Sequence, residues 1–148
     1  MKILIVDDRE SVSLSLSTCL ADFGYQVKCA STIYDATEVY NEFHPLMVIV
    51  CINEPLLKSN HCEKYLFGLS HKILGIDVIK YIRKVKKHFT SIMVLSEENK
   101  ENFILRGNEF GFSSNLFNSI DNNIRISLLK SRQLIGGNAL PTTLGTLQ

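Results

Sequence analysis

Residues 1–8 read Met-Lys-Ile-Leu-Ile-Val-Asp-Asp, and the apolar residues Ile3, Leu4, Ile5 and Val6 run without interruption into Asp7 and Asp8. A short continuous apolar run is the pattern of a strand buried on both faces, as in a parallel sheet covered by helices. The next stretch reads two ways. Val12, Leu14 and Leu16 alternate like a strand, whereas Val12, Leu16, Cys19, Leu20 and Phe23 share one helical stripe. Length favours the helix, and Gly24 supplies its stop.

Outward from this start, strands and helices take turns. Tyr25 to Ala30 reads as a second strand, and Ser31 or Thr32 caps a helix that carries Ile33, Ala36, Tyr40 and Phe43 inward and halts near Pro45. Leu46-Met47-Val48-Ile49-Val50 is the most apolar strand candidate, with Cys51 at its carboxyl end. A third helix fits Ile76 to Val85 through Val78, Ile79, Ile82 and Val85. A fourth strand, Ile92 to Leu95, ends at Ser96. Glu97 to Phe110 reads as a helix stopped by Gly111, Asn115 to Phe117 as a short fifth strand, and Ser119 to Ile135 as a last helix ended by Gly136-Gly137. This alternation predicts an α/β fold with a parallel sheet between two helical layers, and right-handed crossovers leave few topologies.

Composition is consistent with one globular domain. The chain has 148 residues, 45% hydrophobic and 21% charged, enough for one sizeable core and too short for a second full domain. A net charge of +1 predicts no long-range attraction to nucleic acid or anionic membrane. The basic run Lys80, Arg83, Lys84, Lys86, Lys87 reads as the solvated face of a helix. The N-terminal apolar run meets its acids too soon for a signal peptide, and no apolar run approaches the roughly 20 residues of a membrane span. A cytoplasmic location is therefore expected, with Cys19, Cys29, Cys51 and Cys62 reduced; none forms a Cys-x-x-Cys pair. Residues 136–148 have linker composition, and read as a flexible tail or as the start of a linker to a further domain.

In open parallel sheets, ligands gather beyond the carboxyl ends of the strands. Four strands here deliver Asp7 and Asp8, Cys51, Ser96 and Asn118 to that edge. Each alone is an ordinary loop or cap residue, and the shared edge is what marks them.

The opening Ile-Leu-Ile-Val-Asp-Asp, the segment Ile52-Asn53-Glu54-Pro55, the helix start Gly75-Ile76-Asp77-Val78-Ile79, the strand ending in Ser96 and the interval from Ser96 to Asn118 together resemble a response-regulator receiver domain over residues 1–135. The resemblance implies a flavodoxin-like, doubly wound, five-stranded parallel sheet of order 2-1-3-4-5. Receivers phosphorylate an aspartate ending the third strand, assisted by Mg²⁺ held by an acidic pair and that aspartate. Asp7 and Asp8 match the pair, and Asn53 matches the residue lending a backbone carbonyl. Cys51 occupies the phosphoacceptor position, and thiolate is a poor Mg²⁺ ligand. Asn118 stands where the family has a Lys, and Ser119 where it has a proline. Ser96 matches the switch hydroxyl. Glu97 replaces a small residue and would crowd and repel a phosphate, and Asn115 replaces the aromatic switch residue. The expectation is an atypical receiver with no catalytic residue and no cofactor. Mg²⁺ binding is expected to be lost or weak, with Asp7, Asp8 and Asn53 as residual candidates.

Cys51 has two readings. Reactive thiols need nearby cations or helix N-termini, whereas Asp7 and Asp8 disfavour a thiolate, so an inert buried thiol is preferred to a redox sensor. Residues 56–74, between Pro55 and Gly75, form an insertion too long for an ordinary connection and too apolar for a tether. It suits a cap over the pocket or a docking surface, and the neighbours His61 and Cys62 lack the further ligands a metal needs. The functional expectation is a phosphorylation-independent module that binds a protein partner or a second copy through residues 97–133 or the insertion. Glu98, Lys100, Glu101, Arg106 and Glu109 would decorate that face, with Arg125, Lys130 and Arg132 opposite. The alternatives are the N-terminal regulatory domain of a larger transcription factor or signalling enzyme, and a redox or small-molecule sensor using the former pocket. Direct nucleic-acid or membrane binding is not expected.

Overall fold

The computed structural model describes residues 1–52, 73–96, 117–118, 126–127, 129–130 and 142–147, with backbone alone at 96, 117–118 and 142–147. Strands β1 (Lys2–Val6), β2 (Gln26–Ala30), β3 (Met47–Ile52) and β4 (Ser91–Ser96) pair in parallel in the order β2-β1-β3-β4. Helices α1 (Glu10–Ala21), α2 (Ile33–Phe43) and α3 (Leu74–Lys80) make the crossovers, the last continuing into a π-helical turn over Tyr81–Val85. This is the expected doubly wound α/β architecture.

The apolar runs fill two layers because successive strand residues face opposite sides of the sheet. Ile3, Ile5, Ile49, Cys51, Met93 and Leu95 pack with Val12, Leu16 and Leu20 of α1. Leu4, Val6, Val48, Val50, Ile92 and Val94 pack on the other side with Ala36 and Tyr40 of α2 and Ile76 and Ile79 of α3. Burying each such side chain stabilises by about 1.5–3 kcal/mol, so the six-residue β3, buried throughout, is the backbone of the core.

Helix boundaries follow local chemistry. Thr32 caps α2, its Oγ1 accepting from the Asp35 N–H at 3.1 Å, and His44 ends the helix in the left-handed region. Gly24, at φ +88°, turns the chain from α1 toward β2, a conformation only glycine adopts freely. Gly75 is the second residue of α3, in its first turn, and a Cβ there would meet Ile52 Cγ1 at 2.9 Å. The bare backbone is what lets α3 settle against the end of β3.

Several expectations are corrected. Ile33, the first residue of α2, is exposed rather than inward, and Leu46, expected within the third strand, precedes β3 and is exposed. Val85 is also exposed: the wider π turn, with the Lys86 N–H donating to the Tyr81 carbonyl at 2.9 Å, rotates it off the apolar stripe. The larger correction concerns 136–148, read as tail or linker. Thr142–Leu147 forms a strand, β6, which pairs antiparallel with β4 and with the two-residue β5 (Phe117–Asn118). The sheet order is thus β2-β1-β3-β4-β6-β5, six strands rather than five at its far edge. The reason is physical. Two residues of β5 cannot satisfy the six-residue edge of β4, and Thr142, Thr143 and Thr146 are β-branched residues suited to a strand. A bulge opposite Val94 and Leu95 leaves Leu144 outside the ladder.

The predicted helix 97–110 and the insertion up to residue 72 lie outside the described residues. In the predicted last helix, Ile126, Ser127, Leu129 and Lys130 are helical, and Lys130 Nζ stands 5.3 Å from the centre of the Phe23 ring. No helix among the described residues is long and apolar enough to cross a membrane.

Candidate functional site

The site is built where β1 and β3 end together. Their register sets Ile5 beside Ile49 and Val6 beside Val50, so the next step brings Asp7 next to Cys51. The Asp7 N–H donates to the Ala30 carbonyl at 3.1 Å, extending the pairing of β1 with β2 by one residue and fixing the start of the loop into α1. Asp7 is buried, at 1% exposure, whereas its neighbour Asp8 faces solvent.

A buried carboxylate needs a partner, and here Arg9 supplies one. The Arg9 N–H donates to Asp7 Oδ1 at 3.0 Å, its Nε to the same oxygen at 3.4 Å, and its Nη2 to Oδ2 at 3.3 Å. Backbone and fork together hold both carboxylate oxygens from a residue two positions along the chain. Sequence reading overlooked Arg9; the signal that could have found it is the Asp-x-Arg spacing, which lets a turn fold the guanidinium back.

Cys51 is buried at the end of β3, paired with Leu95 of β4. Burial pushes its thiol well above the ordinary cysteine value, the charge of Asp7 and a hydrogen bond to it push further, and the Arg9 charge opposes them. At neutral pH Cys51 is therefore a neutral S–H group, held against the Asp7 carboxylate. Such a group is neither a nucleophile nor a ligand for a hard cation.

Cys29 is a second thiol that sequence reading did not connect with the pocket. It sits on β2, exposed at one wall of an open cleft of about 550 Å³ lined also by Asp7, Glu10, Ser13, Ser17 and Ser31. Its Sγ reaches the Ser13 carbonyl at 3.8 Å. Desolvation raises its pKa, Ser17 lowers it by a hydrogen bond and the charge of Asp7 raises it.

Of the other expected site residues, Ser96 ends β4 opposite Ile52, on the same sheet edge as Asp7 and Cys51. Asn118 ends β5, but β6 lies between that strand and β4, one strand spacing further from the pocket than the five-stranded order implies. Asn53, Glu97 and Asn115 lie outside the described residues. The donor set that can be assessed for Mg²⁺ fits it poorly: Asp7 is engaged by a guanidinium, and Cys51 offers a protonated sulfur where the cation wants a carboxylate oxygen.

No protein-family model and no curated protein matches the sequence. Solved structures match the fold. The chemotaxis response regulator CheY4 of Vibrio cholerae superposes with a TM-score of 0.56 at 21% identity, over 88% of this chain and 97% of that one. A response regulator receiver domain protein of Clostridium thermocellum gives 0.51 at 17%, over 91% and 98%. The anti-anti-sigma factor PhyR of Bartonella quintana gives 0.51 at 18%, over 90% of this chain but 47% of that longer one. These likenesses show a receiver-type fold.

Proposed function

We propose that this receiver fold is a signalling module that regulates through protein–protein contact and carries no phosphotransfer chemistry of its own. The observation that carries the proposal is the triad of Arg9, Asp7 and Cys51. Phosphotransfer in receivers needs a carboxylate acceptor and a divalent cation beside it. This pocket has a protonated thiol in the acceptor position and a guanidinium already spread over the adjacent carboxylate. Asn118, in place of the family's Lys, removes the group that would pair with a phosphoryl oxygen, and Glu97 adds a carboxylate where a small residue leaves access.

On this reading Arg9 does permanently what a bound metal does transiently, balancing the charge of Asp7, and the module has one state of the pocket rather than two. Mg²⁺ binding is lost or weak, and residues 97–133 or the insertion 56–74 meet a protein partner or a second copy, in the cytoplasm. The raised Cys51 pKa favours an inert thiol over a redox sensor. Incubation of the protein with acetyl phosphate and Mg²⁺, followed by intact mass, is expected to leave the mass unchanged. A stable acyl-phosphate adduct would sink the proposal.

A further inference from the structure

The end of the sheet opposite Asp7 and Cys51, where the strands begin, carries a feature that the pocket does not explain. Between Asp77 and Glu97 the chain has five cationic residues, Lys80, Arg83, Lys84, Lys86 and Lys87, and no carboxylate. Two residues past the last of them, Phe89 stands 91% exposed, while the residues on both sides of it are fastened down. Arg83 donates from Nη1 to the His88 carbonyl at 3.0 Å and from Nη2 to the Thr90 carbonyl at 2.7 Å. The hydroxyl of Tyr40, a buried residue of α2, lies 2.8 Å from His88 Nδ1 and 2.6 Å from Thr90 Oγ1. The His88 N–H donates to the Ile82 carbonyl at 2.9 Å, and Lys87 turns the chain at φ +55°.

Five hydrogen bonds thus hold the flanks of an aromatic ring that itself touches water. Holding the flanks removes much of the ordering cost that an exposed loop aromatic would otherwise meet on binding. A cleft of about 400 Å³ opens beside this segment, with Tyr40, Asn41, His44, Leu46, Lys86 and His88 among its lining. Among the described residues no carboxylate lines it, and Leu46, 66% exposed, supplies an apolar rim.

We infer that Phe89, with Lys86, Lys87 and the adjoining cleft, is a docking surface for an acidic segment of a partner protein that carries an apolar side chain. The ring and the largely apolar cleft hold the apolar side chain, and the lysines, with Lys86 at the cleft's rim, set the sign of the charge and meet the carboxylates. Interface hot spots centre on anchors such as aromatic rings, and complementary charges around them steer the partner and fix its sign. A bilayer presents a flat apolar layer with no single projecting group to enter a concavity. A single-stranded nucleic acid needs successive stacking rings along a charged groove, and here there is one ring. The inference is independent of the phosphotransfer proposal, because it uses no residue of that pocket.

The test is selection of a displayed random-peptide library on the immobilised full chain, with fluorescence anisotropy of the enriched peptides against wild type, Phe89→Ala and the double variant Lys86→Ala/Lys87→Ala. Enrichment of peptides rich in Asp and Glu around an apolar residue is expected, with affinity falling at least about tenfold in Phe89→Ala and weakening in the lysine variant with added salt sensitivity lost. Circular dichroism should show both variants folded, since the substituted side chains lie outside the core. Enrichment without acidic bias, affinity indifferent to Phe89→Ala, or no saturable peptide would overturn the inference. So would tighter Phe89-dependent binding to phosphatidylserine vesicles or to oligothymidylate than to any selected peptide.

Discussion

Replacing Cys51 by Asp tests how the pocket is balanced. The substitution puts a second carboxylate within hydrogen-bond reach of Asp7, in a site where Cys51 is now buried and Arg9 supplies the cation bonded to Asp7. Two like charges about 4 Å apart repel by roughly 4 kcal/mol at the effective dielectric suited to such sites. Attraction to Arg9, whose side chain is 30% exposed and therefore partly screened, returns about half of this. The net cost is about 2 kcal/mol, and at this chain length that lowers Tm by roughly 4–8 °C. The sign with pH follows: the added carboxylate has a raised pKa in the folded state, so the deficit is full at neutral pH and shrinks as acid protonates it. The assay is thermal unfolding of both proteins with and without Mg²⁺. Wild type is expected to be indifferent to Mg²⁺. The variant now has carboxylates at three pocket positions and is expected to recover, by about 2.7 kcal/mol if Mg²⁺ reaches a hundred times its dissociation constant. Equal stabilisation of wild type and variant by Mg²⁺ would refute the reasoning, because the neutral thiol would then not be what excludes the metal.

Three further outcomes follow from the geometry. The Cys51 thiol is raised in the folded state, so its protonated form contributes stability that is full below the ordinary cysteine value and is lost as pH rises through the folded value; urea melts at increasing alkalinity should lose stability more steeply in wild type than in Cys51→Ala. Gly75→Ala forces a Cβ to within 2.9 Å of Ile52 Cγ1 and should cost about 1–3 kcal/mol in urea unfolding, with an unchanged midpoint contradicting the close approach of α3 to β3. Truncation after Pro141 removes β6 and bares the edge of β4, so loss of stability and a shift to larger species in size-exclusion chromatography are expected; a monomer of unchanged stability would argue against that pairing.

Much of this molecule could be read from residue order alone. Uninterrupted apolar runs such as Ile3–Val6 and Val48–Val50, separated by helical stripes, dictate a parallel sheet between helices, because only burial on both faces suits such strands. The same order carries Asp7, Cys51 and Ser96 to one sheet edge, and Thr32 announces the start of α2 by its capping hydroxyl. These signals are local, and each is complete within a few residues. Tertiary structure decided the rest. Arg9 matters only because the end of β1 is buried, which leaves Asp7 in need of a cation. Val85 leaves the core because Tyr81–Val85 widens into a π turn, and Phe89 becomes a presented ring only when Tyr40, about fifty residues earlier, fastens its neighbours. Thr142–Leu147 has the composition of a tail, and becomes a strand because β4 has an open edge that β5 is too short to cover. Periodicity reports what a segment buries. Which distant group will need a partner depends on the assembled chain, since an unpaired charge or ladder exists only once its surroundings have folded.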